Sequence, residues 1–329
     1  MKSLSSAQFL GIPKRVIINQ LKNKPMVVSF EVTLSCVARC RHCDTGGLKD
    51  NEEKIPPEAY RKYIQDLQPA FVQLSGGEPL LRDDLPEIVK SIKNGSSMPY
   101  IVVVTNGHLL NEQKYIELKK AGADRFSLSL DFPDERHDDF RRLPGLYDHL
   151  NVLIPRLASL GYGDIAMNCC ITRVNFPYLK EIAYKCEEWG INVSYSAYST
   201  KRINDPQYFI SDEKDLETLR NIIDDLITIK QKKGIILNPA PTLRNIYKFF
   251  KEGGMPGCSA GRKFLVVRPE GALNPCSMYR EKRYKTQKEM IKDFSDKNDC
   301  QDCYVAIRSY SDKSLWSLIK EVGEIVKTR

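Results

Sequence analysis

Along most of the chain, short apolar runs rich in β-branched residues alternate with segments whose apolar positions recur at helical spacing. Six of the runs, at 26–32, 71–75, 100–105, 125–131, 164–172 and 192–198, read as strands, and segments such as 56–66, 112–121, 145–160 and 178–189 read as helices between them. Single helices between buried strands predict βα units and a parallel sheet. Six such units predict an α/β fold, a partial (β/α)6 barrel of the TIM type. After 198 the alternation stops. A helical stretch over 212–233 leads through Pro239 and Pro241 to another at 242–252. Two short strands, 264–268 and 272–277, joined at Pro269-Glu270-Gly271, then read as a hairpin. The charged interval 279–299 predicts a solvated loop with a short helix, and 312–327 a final amphipathic helix.

In parallel βα architectures the reactive groups gather at the carboxyl ends of the strands, and the unusual residues of this chain fall there. Cys36, Cys40 and Cys43 follow the first strand at the spacing C-x3-C-x2-C. Gly76-Gly77-Glu78-Pro79 follows the second and Thr105-Asn106-Gly107 the third, while the fourth closes on Ser129-Leu130-Asp131. Three thiolates can hold a four-iron cubane and leave one iron open to a small chelating molecule. The same thiolates also suit a structural zinc, with His42 or a distant fourth ligand.

Composition narrows the setting. With 329 residues, 42% of them apolar, the chain can build a sizeable core in one large or two modest domains. No apolar run approaches the roughly eighteen residues of a spanning helix, and the opening residues lack the apolar core of an export signal. Together with the clustered spacing of its ten cysteines, this predicts reduced thiols serving metals in a cytoplasmic protein. Only four histidines are present, which argues against sites built mainly on imidazole. The net charge of +8 suits an anionic substrate, an acidic redox carrier or a lipid surface, and nucleic acid is not expected as a partner.

At these residues the chain resembles the radical S-adenosylmethionine (SAM) enzymes, whose signature is C-x3-C-x2-C on the loop after the first strand of a partial barrel. Gly76-Gly77-Glu78-Pro79 is similar to the family's GGEP element, which contacts the SAM amino group. Ser127 to Asp131, with His137, Asp138 and Arg141, is similar to the fourth-strand segment of the auxiliary-cluster branch. The resemblance covers 27–303. It implies a 4Fe-4S cluster on Cys36, Cys40 and Cys43, with SAM chelating the open iron. It also implies reductive cleavage of SAM to methionine and a 5'-deoxyadenosyl radical that takes hydrogen from a substrate, fed by an electron donor such as flavodoxin or ferredoxin.

The residues around the cluster acquire expected roles from that resemblance. Gly76 and Gly77 let the backbone approach SAM closely and Pro79 stiffens the exit of the loop. Glu78 orients the ammonium group or a neighbouring backbone amide. Arg141 either forks onto the SAM carboxylate or lies on the surface. Thr105 and Asn106 either touch the cofactor or merely end a strand. Ser129 and Asp131 bind ribose or substrate, or make structural hydrogen bonds, and Asn168 faces the barrel interior. Tyr195 and Tyr198 line the substrate cavity or pack. His42 stands where the family commonly has an aromatic apolar residue, and is expected to pack against adenine.

A second cysteine group, Cys258-x12-Gly271-x4-Cys276 followed by Cys300-x2-Cys303, is similar to the twitch domain, the shortened relative of the SPASM domain, which holds one auxiliary 4Fe-4S cluster. Four thiolates would leave no iron open, so electron transfer is the implied role. A structural zinc on the same four remains the alternative. Cys169, Cys170 and Cys186 read as small buried apolar residues. The expected organisation is a basic segment at 1–25, the barrel at 26–234, a helical linker at 235–257, the auxiliary domain at 258–310 and a C-terminal helix at 311–329.

The leading expectation for the reaction is hydrogen abstraction from a small metabolite, a sugar or alcohol, with the auxiliary cluster taking the remaining electron. Peptide modification of the RiPP maturase kind is an alternative, weighed against by the 35 residues ahead of Cys36, where maturases often carry a leader-binding module. A lipid or isoprenoid substrate is another, because the stretch 9–24 is amphipathic and basic. Pro13 is expected to interrupt any long helix there, and the segment otherwise caps the barrel bottom. Outside enzymology, an iron–sulfur electron carrier or a zinc-stabilised binding module stays open.

Overall fold

The structure, a computed structural model, describes residues 5–312, so the amphipathic helix expected at 312–327 lies outside the described residues. The first helix, α1 (Ser6–Leu21), leads into β1 (Val27–Thr33). Five βα units follow: α2 (Tyr60–Leu67) with β2 (Phe71–Gly76), α3 (Leu85–Lys93) with β3 (Tyr100–Thr105), and α4 (Glu112–Ala121) with β4 (Arg125–Ser129). Next come α5 (Arg136–Arg141) and α6 (Leu146–Ser159) before β5 (Ile165–Ile171), then α7 (Leu179–Glu188) before β6 (Asn192–Ala197). Two longer helices, α8 (Glu213–Lys233) and α9 (Ala240–Glu252), precede β7 (Phe264–Val267) and β8 (Leu273–Asn274), and the described chain closes with α10 (Gln287–Asp293) and α11 (Ala306–Ser311).

The strands form one unclosed sheet in the order β6-β5-β4-β3-β2-β1-β7-β8. The first six pair in parallel with their sequence neighbours, the partial barrel that the alternation predicts. β7 adds in parallel to the free edge of β1, so the segment carrying the second cysteine group is built onto the barrel's own sheet. The expected hairpin is antiparallel as read, but its second strand is only two residues long. Beyond Asn274 the chain turns toward Cys276, and the Asn274 side chain donates to the carbonyls of Tyr279 and Arg280.

The two faces of the sheet differ in chemistry. Val28, Phe30, Val72, Leu74, Phe126 and Leu128 share one face, are buried, and pack with the helices in the main core. Laterally paired residues on the other face include Ser29, Gln73, Ser127, Ser129, Asn168 and Ser194, most of them only half-buried. Period-two alternation with helices on the apolar side leaves a polar concavity on the other. Tyr195 and Tyr198 do not line it. Tyr195 is buried and donates its hydroxyl to the Leu179 carbonyl, while Tyr198 packs against Tyr208 and donates to Asp205. Cys169 is buried on the apolar side as expected, whereas Cys170 is half-buried on the polar one.

The helix α1 runs through Pro13 instead of stopping there. Proline removes one backbone bond from a helix interior, and tertiary contacts offset that loss. Gln8 donates to Asp124 at 2.6 Å, and Asn19 donates to the carbonyls of Pro25 and Gln68 at 2.7 and 2.8 Å. Residues 68 and 124 lie just ahead of β2 and β4, so α1 covers the amino ends of the strands, opposite the cysteine loop. Among the described residues no helix is long and apolar enough to cross a membrane.

Candidate active site and cysteine centres

The first cysteine loop leaves the carboxyl end of β1 and folds back on itself through a bridge between Cys36 and Gly47. Cys36, Ala38 and Cys40 form one buried cluster, with Cys43 packed against it. Each of the three sulfurs meets a different polar group. Asn106 points its amide at Cys36 Sγ (3.8 Å), Arg141 its guanidinium at Cys40 Sγ (3.7 Å), and Thr45 its hydroxyl at Cys43 Sγ (3.2 Å). Burial pushes the Cys36 thiol up to about 11 and raises Cys40 as well, although Arg141 pulls the latter back. Thiolate ligation therefore needs compensating positive charge, which iron supplies. Three converging thiols, each with its own hydrogen-bonding partner, fit a sulfur-ligated cluster, since such donors orient ligands and tune their electron density.

The Gly76-Gly77-Glu78-Pro79 loop braces this site from β2. A Cβ on Gly77 would lie 2.1 Å from the Ser35 carbonyl oxygen, and one on Gly76 2.0 Å from that of Thr33. The glycines are thus required by backbone packing against the end of β1 and the start of the cysteine loop. Gly77→Ala is expected to cost at least the upper end of the roughly 1–3 kcal/mol typical of overpacking, read by denaturant titration. An unchanged midpoint would contradict the packing argument.

Glu78 is fully buried. Its carboxylate accepts from Leu80 N (3.1 Å), Thr105 Oγ1 (2.6 Å) and Asn106 N (2.8 Å). Burial raises its carboxyl above the ordinary range against the pull of these donors. Of its two expected roles the structure shows the second, orienting backbone amides. Thr105 and Asn106 are more than a strand end, because Glu78 fixes them so that Asn106 faces Cys36. Pro79 is buried in the same turn.

Arg141 is buried, not on the surface. Its Nε and Nη2 grip Asp131 Oδ2 at 2.7 and 2.6 Å, while Nη1 reaches Cys40. The fork expected on a SAM carboxylate is made to Asp131. That acid is fully buried and also accepts from Cys170 N at 3.1 Å, so it braces Arg141 through structural hydrogen bonds, the second of its two expected roles. Ser129 and Asn168 are half-buried on the polar face, where Asn168 accepts from Ser194 Oγ (3.1 Å) and donates to Ser196 (3.4 Å). His42 stacks on Phe140, with ring centroids 4.8 Å apart and planes within 10°. Burial, then Arg141, holds its pKa well below the ordinary histidine value, so the ring is neutral.

The second group converges as well. Cys258, Cys276, Cys300 and Cys303 line one cavity together with Lys201 and Tyr279. The proximity of Cys258 and Cys300 pulls the Cys300 thiol down and pushes that of Cys258 up. Among the described residues no three His, Cys, Asp or Glu side chains stand close enough to hold a single metal ion.

Several residues that the linear pattern did not single out join the two groups. Arg202 and Arg280 both bind Asp44, the neighbour of Cys43, at 2.8–3.0 Å, and Arg202 also reaches Ser277, the neighbour of Cys276, at 3.3 Å. Across the β1–β7 edge a buried Arg268 pairs with Glu31. These partners stand far apart in sequence and carry no local spacing signature.

An unclosed parallel barrel whose carboxyl-end loops gather three thiols defines a class of protein, and comparison with known proteins agrees. The Radical SAM superfamily profile matches residues 30–181. Residues 30–181 thus carry a radical SAM domain, a family that implies a 4Fe-4S cluster and SAM as cofactors, and the geometry of Cys36, Cys40 and Cys43 fits that cluster.

Among curated relatives, the AdoMet-dependent heme synthase of Oleidesulfovibrio alaskensis is 31% identical over 172 residues, 50% of this chain and 43% of that protein. A protein of Methanothermobacter marburgensis named Probable GTP 3',8-cyclase is 38% identical over 172 residues, 51% of this chain and 56% of the relative. The chain thus matches about half the length of these relatives. Streptococcus suis SuiB bound to S-adenosylmethionine superposes with a TM-score of 0.64 at 17% identity, covering 92% of this chain and 70% of SuiB, a likeness of fold.

Proposed function

We propose that the chain is a radical SAM oxidoreductase that abstracts hydrogen from a small, polar metabolite and passes the remaining electron to an auxiliary iron–sulfur centre on Cys258, Cys276, Cys300 and Cys303. When bound, the open cluster on Cys36, Cys40 and Cys43 supplies an electron for reductive cleavage of SAM. The chain's own residues hold and shield that chemistry. Asn106, Arg141 and Thr45 fix the three ligand sulfurs, Glu78 locks the loop that carries Asn106, and Asp131 holds Arg141.

The observation that carries the substrate class is the polar face of the sheet. Hydroxyls and amides at Ser29, Gln73, Ser127, Ser129, Asn168 and Ser194 suit a ligand rich in hydrogen-bonding groups better than an apolar one, which offers them no bond in exchange for the water it displaces. The position of α1 also weighs against a lipid or isoprenoid, since a bilayer resting on α1 would lie at the opposite end from the cysteines. Similarity to the cyclase relative makes a purine nucleotide the first candidate to test beside sugars and alcohols.

For the second centre, four thiols lining one cavity supply the full ligand set of an auxiliary iron–sulfur cluster, and structural zinc is the rival reading. Metal analysis of Cys36→Ala protein, reconstituted without air, is expected to return iron and sulfide at the C-terminal set, and zinc there would contradict the reading. The substrate reading is tested by deuterium transfer from labelled candidates into 5'-deoxyadenosine. Transfer from a polar metabolite supports it, and transfer only from an isoprenoid or a peptide refutes it.

A further inference from the structure

The cavity of the second cysteine group contains a cation that belongs to the barrel. Lys201 follows β6 on the loop at the barrel's carboxyl end, yet its ammonium donates to Asp302 Oδ2 at 2.8 Å and Tyr279 Oη at 3.0 Å, and lies 4.1 Å from the Tyr279 ring centroid. Asp302 stands between the paired cysteines and accepts from Cys300 Sγ at 3.7 Å. A second cation, Arg308, is fully buried near the same cysteines, but Asp312 and the carbonyls of Met255, Pro256 and Cys303 already engage it. Lys201 therefore has one carboxylate partner, and that partner touches a ligand sulfur. Its chain neighbour, Arg202, holds Asp44 beside the first cysteine group and also reaches Ser277 beside Cys276, so this loop bridges the two centres.

We propose that Lys201 is a tuning residue that raises the reduction potential of the auxiliary centre and thereby makes that centre an electron acceptor. The inference rests on the reading of the second group as an iron–sulfur site. Reduction adds one negative charge to a cluster that thiolates already make negative. A fixed ammonium next to it stabilises the reduced form more than the oxidised one. Removing Lys201 would also leave the Asp302 carboxylate uncompensated beside Cys300, which acts in the same direction. Reversible one-electron reduction balances with an external reductant such as dithionite and needs no further co-reactant.

The test is an EPR-monitored redox titration of the full chain in a Cys36→Ala/Cys40→Ala/Cys43→Ala background, so that only the C-terminal centre contributes. Lys201→Met is expected to lower the midpoint enough to cut the reduced-to-oxidised ratio at fixed potential about tenfold, 59 mV for a one-electron couple, with iron content unchanged. Lys201→Arg is expected to hold the midpoint near wild type. Asp302→Asn is expected to raise it, and Lys201→Gln carries the test if Lys201→Met loses iron. Full iron loading with unmoved midpoints in Lys201→Met and Asp302→Asn would overturn the role of Lys201 while leaving the iron–sulfur reading intact. Zinc in place of iron in the background protein would instead overturn that reading, and the inference with it.

Discussion

Cys36→Ala is expected to reduce 5'-deoxyadenosine formation by the reduced, iron-reconstituted protein to the level of a control without enzyme. Cys36 is one of three thiols on the loop after β1, and the other two are held by Arg141 and Thr45. With one ligand gone, two thiolates remain for a cluster that needs at least three to stay anchored while one iron is open. Cys258→Ala affects the second set and is expected to retain a measurable fraction of SAM cleavage while losing product formation from substrate. Measuring both products in both variants separates the two centres. Equal retention of SAM cleavage by Cys36→Ala and Cys258→Ala would contradict the division of labour.

The second large effect falls on Arg141. Arg141→Ala leaves the fully buried Asp131 with a backbone amide and no cation, and breaking a buried pair from one side costs about 3–5 kcal/mol. The same change removes the donor to Cys40, so iron retention is expected to fall together with stability. Arg141→Lys keeps the charge but cannot present two nitrogens to Asp131 and a third to Cys40, because the ammonium is a point donor where the guanidinium is a fork. It is therefore expected to recover part of the stability and less of the iron. Denaturation midpoints and iron content of the two variants check this. Wild-type stability in Arg141→Ala would show that the Asp131 contact is not doing the holding.

The contrast between what was legible in the sequence and what was not has a physical basis. Strand order, parallel pairing and the gathering of cysteines at one end follow from period and composition, which are local properties of the chain. The six strands begin and end within two residues of the ranges read from the apolar runs. Which way Gly76, Gly77, Glu78 and Asp131 face was not legible, because spacing shows that a residue is near a site without showing its orientation. Glu78 turns inward onto Thr105 and Asn106, and the Cβ side of each glycine faces backbone. The course of α1 through Pro13 was illegible for a different reason. Local propensity favours a break there, and contacts to residues about fifty and more than one hundred positions away override it. Lys201, Arg202, Arg280 and Asp44 form the joint between the two cysteine groups, and nothing local marks charged loop residues whose partners lie on remote elements.

The claim on which the account depends is that Cys36, Cys40 and Cys43 hold a cluster with an iron open to SAM. The most direct measurement is the EPR spectrum of the dithionite-reduced, anaerobically reconstituted protein with and without SAM. A four-iron signal that changes when SAM is added, and that Cys36→Ala abolishes, is the predicted result. A protein that carries zinc at these cysteines, or whose iron signal is indifferent to SAM, would contradict it.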